Sequence, residues 1–75
     1  EIDDQHAIFE VEVPEAWVGK SVGEVDIRKR FGISILGIRR SGKIDVFVAS
    51  DTVLSNDITL LALGEYKSLQ KCFKI

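Results

Sequence analysis

Methionine is absent from these 75 residues, and cysteine, proline, histidine, tryptophan and tyrosine occur once each. Cys72 therefore has no second thiol with which to close a disulfide or a thiolate metal site, the usual staples of a small scaffold. An unpaired thiol suits a reducing compartment, and a cytoplasmic location is expected. His6 has no second histidine with which to hold a metal, and no serine or cysteine stands at a spacing that points to a His-based triad. Charge of one sign is also lacking: ten basic residues face twelve acidic ones, for a net charge of −2. Without a cationic field, counterion release from a nucleic-acid backbone has little to work on, and no nucleic-acid partner is expected. No apolar run approaches the ~18 to 20 residues that cross a bilayer, and no charged-then-apolar signal segment opens the chain. A glycine-rich phosphate loop is missing too, so a nucleotide-binding strand-to-helix turn is excluded for this segment.

What is present reads as one folded α+β domain, residues 1–75, at 45% hydrophobic content. Ala7 to Val13 alternates, Phe9, Val11 and Val13 facing one way and Glu10 and Glu12 the other, which is the period of a half-buried strand. Pro14 ends it. Ser21-Val22-Gly23-Glu24 has the spacing of a capping box, so a short helix follows, with Val22 and Val25 inward, a break at Asp26 that caps a second turn, and Gly32 as its stop. Ile33 to Arg40 reads as a strand, Ser41-Gly42 as a hairpin turn, and Ile44 to Val48 as the antiparallel return. Asp51 to Asp57 reads as a polar connection, with Asn56 tolerating a tight turn into a last strand, Ile58 to Leu63. Tyr66, Leu69 and Phe73 recur at helical spacing in a closing helix from Glu65. The expected order is β-α-β-β-β-α in a sheet containing antiparallel pairs.

Two of these strands are apolar on both faces. Ile33 and Ile35 oppose Leu36 and Ile38, and Ile58, Leu60 and Ala62 oppose Leu61 and Leu63. Two short helices cover only part of that surface, and a chain of this size buries only about 60% of what its unfolded form exposes. A symmetric homodimer is therefore expected.

The catalytic inventory is thin, and no enzyme is expected. His6 reads as a strand-entry residue and Cys72 as a packing residue. Asp3-Asp4 and Glu10/Glu12 read as solvated carboxylates rather than a hard-cation site, which needs about six converging oxygens. Arg28-Lys29-Arg30 reads as cations offsetting a helix dipole at its C-terminal end. Arg39 leaves two readings open. Alternation puts it beside Ile33 and Ile35, where its guanidinium clamps a phosphate or carboxylate, or it pairs with Asp45 across the hairpin.

The ordered series Val11-Glu12-Val13-Pro14, Val18 to Arg28, Phe31-Gly32-Ile33, Ile35 to Arg40, Asp51-Thr52-Val53-Leu54, Asp57 and Leu63-Gly64 resembles the C-terminal domain of RCK/TrkA-type regulators. It covers nearly the whole chain, and the opening Asp3 to Ile8 looks most like the regulatory subunits of Ktr potassium-uptake systems. The resemblance implies a lobe excised from a longer chain, as the start at Glu1 without methionine also reads, with an N-terminal Rossmann domain that binds nucleotide and forms rings on a membrane channel. It implies a cytoplasmic place at the inner face of the membrane, a channel or transporter subunit as partner, and no cofactor in this domain. It further implies a possible ligand, cyclic di-AMP, at the interface of two lobes, met by Ile33, Leu36, Ile38, Arg39, Ile44, Asp45 and Val46, with Arg39 near phosphate. Asp45 departs from the Asn often found there in the cyclic di-AMP-binding subunits; a carboxylate only accepts hydrogen bonds and repels an anion. A dimerisation module of another transporter and the effector domain of a transcription regulator are the alternative functions.

Overall fold

The computed structural model describes residues 3–75. Strand β1 (His6–Glu12) leads through a 3₁₀ turn at Glu15–Trp17 to helices α1 (Val22–Val25) and α2 (Ile27–Phe31), strands β2 (Ser34–Arg40), β3 (Lys43–Asp45) and β4 (Ile58–Glu65), and helix α3 (Tyr66–Phe73). The strands form one antiparallel sheet in the order β1-β4-β2-β3. The expected α+β order stands, with its first helix divided in two.

The local causes are those in the sequence, with one correction. Ser21 Oγ accepts from the Glu24 amide at 3.1 Å while the Glu24 carboxylate accepts from the Ser21 amide at 2.8 Å, which closes the capping box. Asp26 breaks the helix as expected and is the N-cap residue of α2, through a left-handed backbone (φ 58°) that short polar residues tolerate and without a side-chain cap hydrogen bond. Gly32 ends α2 in the same conformation. At the hairpin both Ser41 (φ 52°) and Gly42 (φ 79°) are left-handed, the pattern whose twist matches two flanking strands. The return strand stops at Asp45, short of the expected Val48, because Asp45 Oδ1 accepts from the Phe47 amide at 2.9 Å and turns the chain out of the ladder.

All three helices share one face of the sheet with the core. Ile33, Leu54, Leu60 and Leu69 are its largest fully buried side chains, and Trp17 packs its ring 5.6 Å from Phe31 and 5.5 Å from Phe73, joining α2 to α3. Among the described residues the opposite face carries no helix.

Several carboxylates titrate below their ordinary range because folding gives them hydrogen-bond donors. Asp3 is lowered by the Gln5 and His6 amides, Glu10 by Arg39 and then Thr59, Glu24 by the Ser21 amide, and Asp57 by the Ser55 hydroxyl. A lowered folded-state pKa means the native chain holds fewer protons than the unfolded one. The stabilisation is complete above the unfolded carboxylate values of about 3.9 to 4.3 and is lost as pH falls through the folded ones. The melting temperature is expected to be level through neutral pH and to drop below about pH 4; a constant or rising value on acidification to pH 3 contradicts these contacts.

Candidate functional site

The helix-free face is set by the register of its strands. Three rows cross it: Ile8 with Leu63 and Ser34; Glu10 with Leu61 and Gly37; Glu12 with Thr59, Arg39 and Ile44. Leu61 and Leu63 do stand opposite Leu60 and Ala62, as expected. On β2 the expectation fails, because the ladder slips between Ile35 and Gly37. That bulge reverses the alternation, so Ile33, Ile35 and Ile38 all turn to the core while Leu36 and Arg39 are left outside. Arg39 therefore does not lie beside Ile33 and Ile35. Gly37 makes the close approach of β3 possible, since a Cβ there meets the Asp45 carbonyl and Ile44 Cγ2 at 3.2 Å each.

Arg39 is not paired to Asp45 either. It stands opposite Ile44, while Asp45 stands opposite Ile38 in the core-side row. Its Nε donates to Glu10 Oε2 at 2.7 Å, and Thr59 Oγ1 donates to the same oxygen. Glu10 is diagonal to Thr59 on the neighbouring strand, within reach of a long side chain. Both members of the ion pair are partly open to water, with side-chain exposures of 39% and 37%.

The seven proposed ligand positions thus divide. Leu36, Arg39 and Ile44 gather on the open face, and Asp45 and Val46 follow at the hairpin edge. Ile33 and Ile38, at 0% and 5% exposure, have their side chains in the core and offer a ligand no surface. Phe47 was not singled out from the sequence, yet it is 88% exposed and Val46 66%. With Arg40, Lys43, Ile44 and Asp45 they line a hollow of about 480 Å³, within the range of small-molecule sites. The signal for Phe47 was available in Asp45, whose Asx turn puts the next two residues outside the ladder.

The remaining candidates do not converge. His6 Nδ1 lies 3.1 Å from Asp3 at the start of β1, and burial pushes the Cys72 thiol upward, away from reactivity. Among the described residues no three His, Cys, Asp or Glu side chains come together to hold a metal, and no helix is long and apolar enough to cross a membrane. The accessible surface is 5217 Å², against about 4600 Å² for a monomeric protein of this length. The excess fits a sheet with one uncovered face.

A family model described as the TrkA-C domain matches residues 6–75. The chain is 35% identical over 57 residues to an uncharacterized transporter, YfbS, of Escherichia coli K12, covering 73% of this chain and 9% of that protein. It is 22% identical over 71 residues to the Ktr system potassium uptake protein C of Bacillus subtilis 168, covering 95% and 32%. The chain accordingly spans only a small part of the first relative and about a third of the second. Among solved structures, the RCK C domain of the potassium transport protein KtrA, in complex with cyclic di-AMP, superposes with a TM-score of 0.84 at 28% identity, covering 95% of this chain and 84% of that one. A likeness of fold alone, with a TM-score of 0.70 at 22% identity over 93% of this chain and 36% of the other, extends to S. agalactiae BusR in complex with its promoter DNA. The expectation of no nucleic-acid partner therefore finds no support in the comparisons.

Proposed function

We propose a function from the fact that this chain belongs to the TrkA-C domain family: it is a regulatory, non-catalytic lobe of a potassium transport system that dimerises and binds cyclic di-AMP between two hairpin ends. One observation carries the reading. Leu36, Ile44, Val46 and Phe47 leave apolar side chains exposed around the end of β2 that presents Arg39. Adenine faces need apolar walls and phosphates need a guanidinium fork, and a two-fold symmetric ligand fits a two-fold interface. The KtrA C domain, 28% identical, was solved with that ligand, and the Ktr uptake protein C is a relative over 95% of this chain. Asp45 lines the same hollow as Val46 and Phe47, but its row lies on the other side of the sheet from Arg39 and its carboxylate accepts from the Phe47 amide.

In this reading the ligand changes the angle between two lobes, and neighbouring domains of the longer protein carry that change to a channel at the inner face of the membrane. Calorimetry with cyclic di-AMP tests it. One ligand per two chains is expected, and Arg39→Ala should weaken binding about tenfold or more through loss of a charge-assisted hydrogen bond. Absence of heat and of any thermal shift at high ligand concentration removes the messenger. A dimer indifferent to both ligand and substitution leaves a purely structural module. A helix-turn-helix encoded upstream, instead of a Rossmann domain, makes the lobe the effector of a transcription regulator.

A further inference from the structure

We propose that Glu10 competes with the ligand for Arg39, so that a phosphate of the cyclic dinucleotide must displace the Glu10 carboxylate from the guanidinium before the site is filled. This rests on the reading of the site given above and adds a built-in brake on it.

The geometry spans three strands. Glu10 comes from β1, Thr59 from the central strand β4 and Arg39 from β2. The Thr59 hydroxyl and Arg39 Nε converge on one oxygen, Oε2 of Glu10, so the threonine aims the carboxylate at the arginine. Only Nε of Arg39 is engaged; its two terminal nitrogens have no hydrogen-bond partner in the protein among the described residues. A guanidinium presents five donors in a planar fork that suits carboxylate and phosphate alike. A phosphate can first meet the free terminal nitrogens and then take the Nε donor as Glu10 withdraws into water. The exchange replaces one anion by another on the same guanidinium.

A role in folding alone accounts poorly for the arrangement. The pair is open to solvent on both sides, and exposed pairs of this kind add little to stability. It sits where Leu61 and Leu63 supply an apolar surround, beside the exposed Leu36 and Ile44. Glu12 supplies an internal comparison. It occupies the same face of the same strand, directly opposite Thr59, yet makes no hydrogen bond to Arg39 among the described residues. A general effect of negative charge acts through both glutamates, whereas competition acts through Glu10 alone.

Calorimetry with cyclic di-AMP on the whole chain, alongside sedimentation to fix the oligomeric state, compares the unsubstituted protein with Glu10→Gln, Thr59→Val and Glu12→Gln. Glu10→Gln is expected to bind about two- to fivefold more tightly, the weight of an exposed ion pair expressed as an affinity. Thr59→Val, which leaves the charge unaltered, moves in the same direction by less, and Glu12→Gln stays at the starting affinity. Equal binding by the unsubstituted protein and Glu10→Gln overturns the competition and leaves the ligand reading standing. A gain for Glu12→Gln as large as for Glu10→Gln also overturns it, in favour of the general field. Failure of all four proteins to bind overturns this inference and the ligand reading together.

Discussion

Leu54→Ala is expected to remove about 2 to 5 kcal/mol of stability, from a total of about 4 to 11 kcal/mol for a domain of this length. The side chain is fully buried, and its backbone is fixed on both sides. The Leu54 amide donates to the Lys20 carbonyl and its carbonyl accepts from the Gly19 amide, each at 2.8 Å. Further bonds, from Val22 to the Thr52 carbonyl and from Gly23 to the Ser50 carbonyl, lay residues 50–54 alongside residues 19–23. A segment held this way cannot close over the lost methyl groups, so the cavity remains and the upper part of the range applies. Urea unfolding at one fixed protein concentration measures it, since the proposed dimer would make stability concentration-dependent. Val53→Ala is the comparison. The Val53 side chain is 55% exposed, and a change within about 0.5 kcal/mol is expected. A loss below about 1 kcal/mol for Leu54→Ala means that this connection does not anchor the core.

Leu54 also marks where the sequence stops being legible. Asp51 to Asp57 is rich in polar residues, and nothing within it says that one leucine is buried; the reason lies some thirty positions away, in the backbone of Gly19 to Gly23. Local causes read more easily. The capping box at Ser21 and Glu24, the stop at Gly32, the hairpin at Ser41-Gly42 and the alternation of β1 each depend on neighbours within four residues, and each is found in place. The bulge in β2 is intermediate. Gly37 inside a strand pattern is a recognised sign of one, but alternation carried straight through it puts Arg39 beside Ile33 and Ile35, on the core side. The ligand positions implied by the resemblance do not share one face: Ile33 and Ile38 have their side chains in the core, while Leu36 stands outside. Glu10 read as an ordinary solvated carboxylate because its partner lies 29 positions away in sequence. Only the strand order β1-β4-β2 brings the two within reach.

Phe47→Asp is expected to separate the proposed dimer while leaving each chain folded. At 88% exposure the Phe47 ring gives the single chain almost no packing, so its removal should alter the unfolding of a monomer by less than about 0.5 kcal/mol. An exposed aromatic ring with nothing to cover it is a costly surface, and aromatic anchors at the centre of an interface typically contribute about 2 kcal/mol or more. In a two-fold interface the same change is made on both sides, and each partner also gains a carboxylate where an apolar wall stood. Weakening of the dimer by at least about a thirtyfold factor follows. Sedimentation equilibrium over a range of concentrations measures it, with Ile75→Asp as the comparison: also an exposed apolar residue, at 54%, but outside the hairpin. Equal association of the two variants places the contact somewhere other than the hairpin end. A chain that stays monomeric without any substitution at high concentration removes the premise that the uncovered face needs a second copy. Because the proposed site lies between two lobes, Phe47→Asp should also lower cyclic di-AMP affinity although Glu10, Thr59 and Arg39 are unchanged. Loss of binding together with the dimer in Phe47→Asp, but without the dimer in Arg39→Ala, separates the wall of the site from its anion clamp.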